Sequence, residues 1–306
     1  MRGKLFTGFR WLVIALAAIF AAFPARTAEY KTYGETLCNN PGYHCITAGT
    51  TVVEKKVKTR KGERVYSKKV RDTWETLWPD AGEREIVMKV NRMNVRLKPG
   101  MIIAVPDDMA GKTLMDFSPF AKRFEPECVL KGEAQCRLVC QDCGNAPVVK
   151  QVCEQECEPK DKLAFGPDGE LVREKTIIFD PNLVAYAAYD EKGDLTRWGP
   201  AAGGKDWCAD IRKPCFTESG DFKVQRKAGR WATSSQFPIA RAGKKAGGAP
   251  IPYFMSFSRG MGIHGSPEVP GRNASHGCVR VFYEDAVWLN QEFTEIGTRV
   301  IVKPYE

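Results

Sequence analysis

Gly262-Ile263-His264-Gly265-Ser266 and, after a loop rich in proline and glycine, Ser275-His276-Gly277-Cys278-Val279-Arg280 carry two of the chain's three histidines within fourteen residues of one cysteine. The sequence around them has a consistent texture from about residue 163 onward: short apolar runs parted by Gly, Pro and Asp. Val184 to Tyr189, Phe222-Lys223-Val224, Tyr253 to Phe257 and Val300-Ile301-Val302 read as strands. Asp190-Glu191-Lys192-Gly193-Asp194 reads as a hairpin turn, and Tyr283 to Glu295 as a helix. The segment 163–306 is therefore expected to be a mainly β domain.

The cysteine count singles out Cys278. Eleven cysteines are dense for a reducing compartment and natural for an oxidising one. Cys38 and Cys45, Cys208 and Cys215, and six more between Cys128 and Cys157 make five possible pairs and leave Cys278 over. A thiol attacks as the thiolate, and an imidazole nearby can take its proton. Glycine beside the nucleophile lets a carbonyl approach, so the amides of Gly277 and Cys278 are candidate oxyanion donors. Spacing alone leaves a rival, a metal held by His264, His276 and Cys278, for which no fourth ligand is evident nearby.

The remaining sequence supplies context. Arg2, Lys4 and Arg10 precede an apolar run from Trp11 to Phe23, followed by small residues up to Ala28, the pattern of a signal peptide over 1–28. Its removal takes away four basic residues and no acidic one, lowering the formal charge from +9 to +5. That surplus suits an acidic polymer and is too small to indicate nucleic acid. In 29–108, Thr51-Val52-Val53 and Val57 suggest a strand, Asp72 an N-cap with Glu75 three residues on, Ile86, Val87 and Val90 a helix face, and Met101 to Pro106 a buried strand. In 109–162, Cys136/Cys140 and Cys153/Cys157 are spaced i, i+4, which suggests two helices stapled Cys136–Cys157 and Cys140–Cys153, with Cys128 left for Cys143. Cys140-x-x-Cys143 also has the spacing of zinc ligands.

The string Ile263-His264-Gly265 followed by Ala274-Ser275-His276-Gly277-Cys278-Val279-Arg280 closely resembles the catalytic signature of L,D-transpeptidases, the YkuD-like domain. Thr217 to Val224 resembles that family's Thr-Pro-x-Gly-x-Phe hairpin, with Glu218 in place of the proline, and Pro252 to Met255 its strand before the first histidine. Asn91 to Pro106 resembles the second half of a lysin motif, with Asp72-Thr73-Trp74 before its first helix and Arg71 where a glycine is usual. The resemblance implies a β-sandwich of the L,D-transpeptidase kind with one or two short helices over 163–306. Before it stand a small α+β module with an N-terminal loop over 29–108 and a disulfide-rich helical connector over 109–162.

By the same resemblance, Cys278 forms a thioester with a donor stem peptide of peptidoglycan and His264 is the general base. The Gly265 carbonyl orients that imidazole, His276 and Gly277 shape the oxyanion pocket, and carbapenems acylate Cys278. Arg280, Ser275 and Tyr253 are implied near the substrate. Cys208–Cys215 is expected to stiffen an insertion beside the site. The acceptor is an amine of a second stem, a D-amino acid or a lipoprotein. Alternatives are an L,D-carboxypeptidase or amidase that hydrolyses the same thioester, and a non-catalytic peptidoglycan-binding protein. No metal or organic cofactor and no nucleic acid are implied. The membrane is met only through the signal segment, and the location is the periplasm or cell wall.

Overall fold

Thr176–Asp180 and Ala185–Tyr189 bury every residue, the pattern of strands covered on both faces. They lie at the centre of a computed structural model that describes residues 31–306 except 61, 125–127, 142–147, 160–163, 166–170, 173 and 240–245, with the backbone alone at 53, 55, 59, 128–141, 148–159, 164–165 and 171–172. The signal segment 1–28 falls outside the described residues. Among the described residues, no helix is long and apolar enough to cross a membrane.

The elements run α1 (Tyr33–Leu37), β1 (Tyr43–Thr47), β2 (Thr50–Thr59), β3 (Gly62–Arg71), α2 (Trp74–Leu77), α3 (Ala81–Val90) and β4 (Ile102–Pro106). A 3-10 turn, Leu114–Phe117, precedes β5 (Cys128–Gln141), β6 (Val148–Pro159), β7 (Ala164–Phe165) and β8 (Leu171–Val172). Then come β9 (Thr176–Asp180), β10 (Ala185–Tyr189), β11 (Leu195–Ala202), β12 (Gly220–Lys223), β13 (Arg226–Lys227), β14 (Met255–Ser258), β15 (Met261–Gly265) and β16 (Val279–Val281). The order closes with α4 (Tyr283–Trp288), a π-helical turn at Leu289–Phe293 and β17 (Arg299–Val302).

One mixed sheet takes the order β12-β17-β9-β10-β11-β16-β15-β14-β13. The pairs β15·β16 and β17·β9 are parallel, and the other pairs of this sheet are antiparallel. One apolar cluster joins Ile177, Phe179, Tyr186, Phe257, Ile263 and Leu289. A second lies on Ile178, Ala187, Tyr189 and Trp198, where Leu114, Met115, Phe117, Phe120 and Phe124 pack. The start of the 109–162 stretch thus packs onto the nine-stranded sheet. Trp198 Nε1 donates to Leu114 O at 2.9 Å, and Tyr189 Oη donates to Ala121 O at 3.0 Å. The described fold is mainly β with short helices, as read from the sequence.

The N-terminal module departs from the reading in detail. The strand expected over Thr51 to Val57 is present as β2, and a further strand precedes it: β1 pairs antiparallel with β4 around α2 and α3. Thr50–Thr59 instead pairs with Gly62–Arg71 in a separate hairpin. The N-cap of α2 is Thr73, whose side chain accepts from Thr76 N. Asp72 turns inward and accepts from Gly49 N at 2.6 Å and from Thr51 Oγ1. A carboxylate with two donors beside it in the fold has no need of the helix end.

The helical connector is also corrected. Cys128–Gln141 and Val148–Pro159 are antiparallel strands, with Cys136 opposite Cys153 and Leu130 opposite Cys157. A spacing of i, i+4 keeps two residues on one face of a strand as well as of a helix. Val129, Val139, Val148, Val149 and Val152 favour the strand. The pairings proposed for these cysteines, and the zinc spacing with Cys143, lie outside the described side chains.

The module is keyed into the domain of the nine-stranded sheet by buried polar contacts. Lys89 Nζ lies 3.1 Å from Asp285 Oδ1, with side-chain exposures of 8% and 1%. Arg92 is buried between the rings of Tyr33 and Trp198, at 4.5 and 4.7 Å, and donates to Leu183 O. Burial lowers its pKa to about 10. Asn94 grips the loop that joins β15 to β16: its Nδ2 donates to Ser266 O and its Oδ1 accepts from Val269 N, both at 2.9 Å. Its backbone N–H donates to Val269 O at 3.0 Å, and Tyr33 N donates to Gly271 O at 2.7 Å.

Candidate active site

The parallel ladder of β15 and β16 brings the two quoted stretches side by side. Ile263 pairs with Val279, His264 with Arg280 and Gly265 with Val281. Side chains alternate along a strand, so Val279 and Val281 enter the core while Arg280, and Cys278 just before the strand, take the face of His264. At Gly262 any Cβ would lie 2.4 Å from Met255 O and from the ring of Phe254. Only glycine allows β14 that close.

His264 is buried, and its Nδ1 lies 2.9 Å from the carbonyl oxygen of Gly265. A carbonyl only accepts, so Nδ1 carries the proton and Nε2 is the lone-pair nitrogen. Burial lowers the imidazole pKa to about 4, the Gly265 bond opposes this, and the Arg280 charge adds to it. The ring is neutral in neutral solution. Cys278 is the free cysteine among the described residues. Burial raises its thiol pKa, against a backbone bond from Gly262 and the charge of Arg280. Cys278 thus rests as the thiol and His264 as the neutral imidazole.

His276 is held differently. Its Nε2 lies 2.8 and 3.0 Å from the two carboxylate oxygens of Asp210, and its ring packs on Phe237 at 4.7 Å between centroids. Ser275 is buried and ties the turn: its Oγ donates to Cys278 O and accepts from Gly277 N at 3.0 Å. The Gly277 N–H is therefore committed within the turn, and its expected use as an oxyanion donor requires that bond to open. Gly277 itself has φ 121°, a conformation that disfavours other residues.

Arg280 Nη1 reaches the Glu268 carbonyl at 3.4 Å and its carboxylate at 3.6 Å, on the loop that Asn94 grips.

A cavity of about 340 Å³ opens on Cys278, lined also by His276, Phe237, Phe254, Arg226 and Pro214 among others. Neither His264 nor Tyr253 is on its wall. Tyr253, expected near the substrate, is buried edge-on against Tyr283 at 5.5 Å. Its backbone is left-handed (φ 57°), which breaks the strand alternation ahead of β14, and Phe254 faces the cavity instead. Asp210, Phe237 and Phe254 were not singled out by sequence. For Asp210 a signal existed, because it lies inside the Cys208–Cys215 loop expected beside the site.

Cys208, Asp210 and His276 bring a sulfur, a carboxylate and a ring nitrogen within 4.8 Å of one another. Cys208 is bonded to Cys215, however, and a disulfide sulfur is no thiolate ligand.

Residues 174–302 match the family model of the YkuD L,D-transpeptidase catalytic domain. No curated protein matches the chain. Among solved structures, the chain is similar to the L,D-transpeptidase of Xylanimonas cellulosilytica, at 26% identity over 43% of this chain and 61% of that one, TM-score 0.36. It is similar to the L,D-transpeptidase of Stackebrandtia nassauensis, at 21% identity over 48% and 61%, TM-score 0.34. It is also similar to L,D-transpeptidase 1 of Mycobacterium tuberculosis, at 20% identity over 42% and 61%, TM-score 0.32. The chain spans about three fifths of the length of these relatives. The family match begins at residue 174 and leaves the N-terminal module outside it.

Proposed function

We propose that the protein is a peptidoglycan L,D-transpeptidase that works through a Cys278 thioester. The observation that carries this reading is the free Cys278 thiol on the sheet face of a buried, neutral His264, inside the segment that matches the family. The raised thiol pKa and the low imidazole pKa mean that proton transfer accompanies attack rather than preceding it.

Cys278 Sγ attacks the stem-peptide carbonyl while the lone-pair nitrogen of His264 takes the thiol proton. The terminal D-residue then leaves with that proton on its amine. In the second half the acceptor amine loses a proton to His264, attacks the thioester carbon and expels the Cys278 thiolate, which takes that proton back from His264. The Gly265 carbonyl keeps the imidazole in the tautomer this requires, as the third member of a triad does. Arg280 and the cavity beside Cys278 supply contacts for the donor stem. The acceptor is an amine of another stem peptide, a D-amino acid or a lipoprotein lysine. The two described disulfides support an oxidising location, periplasm or cell wall.

Incubation with disaccharide-tetrapeptide muropeptides, with products resolved by mass, tests the reading. Cross-linked dimers absent with Cys278→Ala support transfer. Tripeptide alone makes the protein a carboxypeptidase acting through the same thioester. No product from the wild type, with sacculus binding retained, leaves a wall-binding protein.

A further inference from the structure

The loop 208–215 is built into the active site at both ends. Its disulfide closes a seven-residue separation, and inside it Cys208 N donates to Lys213 O at 2.9 Å. At the base, Cys215 N donates to Lys205 O at 3.2 Å, and Lys205 N donates to Ser275 O at 3.1 Å, the serine that ties the nucleophile turn. Gly204 passes so close beneath that an added Cβ would overlap Cys215 O. At the tip, Asp210 takes both carboxylate contacts to His276. The bond to His276 keeps the Asp210 carboxyl below its ordinary range, so it is ionised and only accepts. Nε2 of His276 is then the donor and carries a proton.

We propose that Asp210 is a positioning residue of the active site, delivered by the Cys208–Cys215 loop, which fixes the tautomer and orientation of His276 beside Cys278. The site therefore works at full rate only with this loop closed. The inference rests on the reading of Cys278 as nucleophile and assigns the loop a part in that chemistry. Phe237 holds one side of the imidazole, and Asp210 alone supplies a charged partner among the described contacts.

Single-turnover acylation of Cys278 by meropenem, followed by intact mass, tests it together with ¹⁵N histidine spectra, in which the three rings are few enough to assign. Asp210→Asn is expected to lower the saturating acylation rate tenfold or more with little change in half-saturating concentration, and Asp210→Glu to recover most of it. Cys208→Ser/Cys215→Ser is expected to lose a similar factor. Adding Asp210→Asn to that pair should cost little more, because the loop acts through this carboxylate. The Nε2-protonated signature of His276 should be lost in Asp210→Asn and in the double serine variant, with the His44 and His264 signals in place as a check on folding. An Asp210→Asn rate within twofold of wild type, or full additivity with the open loop, overturns the proposal. A wild type that meropenem does not acylate at Cys278 refutes the nucleophile reading itself, and is told apart by that.

Discussion

Lys89→Met breaks the ion pair that joins the N-terminal module to the catalytic body. Asp285 is 1% exposed, and Lys89 Nζ at 3.1 Å is its nearest cation; Arg197 stands at 3.7 Å. Removing one partner of a buried pair costs about 3–5 kcal/mol, because the other charge stays desolvated. Arg197 remains, so the lower end, about 3 kcal/mol, is expected. The cost also has a pH signature. Burial raises the folded-state pKa of Asp285 and the Lys89 charge pulls it back. The folded carboxyl already holds its proton more tightly than the unfolded one, and without Lys89 it holds it more tightly still. Stability is then greatest at low pH and is lost as pH rises from the ordinary carboxylate value through the raised folded value. The deficit of Lys89→Met should be larger at pH 7 than at pH 5, with a slope bounded by about 1.4 kcal/mol per pH unit. Urea titrations of the purified protein at both pH values measure it, and adding Asp285→Asn should recover part of the loss. A deficit below about 0.5 kcal/mol at pH 7, or one that does not change with pH, refutes the claim that this pair is a buried joint.

His264 titrates near pH 4 in the fold against 6.5 when unperturbed, so the unfolded chain binds more protons between these values. Acidification from pH 6.5 to 4 should remove up to about 3 kcal/mol of stability, and His264→Gln should lack that slope in chemical denaturation curves. Asn94→Ala leaves the Ser266 carbonyl and the Val269 amide without their partner and should cost about 1–3 kcal/mol. The acylation rate of this variant, read by mass under single turnover, should fall as well, because the loop that Asn94 grips leads into Cys278. Ser275→Ala frees the Gly277 amide and loosens the nucleophile turn, with an expected drop of about tenfold in the acylation rate, corresponding to about 1.4 kcal/mol.

The catalytic half was legible because its signals are local. Buried strands show as unbroken apolar runs, as at Ala185–Tyr189, and the odd cysteine and adjacent histidines share one short stretch. The pairing of His264 with Arg280 follows from a parallel register that no local pattern encodes. Asp210 reaches His276 from 66 residues away, and the Asn94 grip on Ser266 spans 172, so neither contact leaves a trace in spacing. The cysteine connector was misread because i, i+4 satisfies both periods; the β-branched residues between the cysteines were the better guide. At Asp72 the capping pattern is off by one residue, and the carboxylate has a tertiary use that the pattern does not contain. Tyr253 shows the reverse case, where one left-handed residue shifts which side chain faces the cavity.

Acid-quenched mixtures of the protein with a tetrapeptide donor and no acceptor, digested and mapped by mass, go most directly to the chemistry at Cys278. The account predicts a thioester on the Cys278 peptide, heavier by the donor less its terminal D-residue and missing from Cys278→Ala. An unmodified Cys278 beside turned-over substrate, or a Cys278 found bridged to another cysteine, would contradict it.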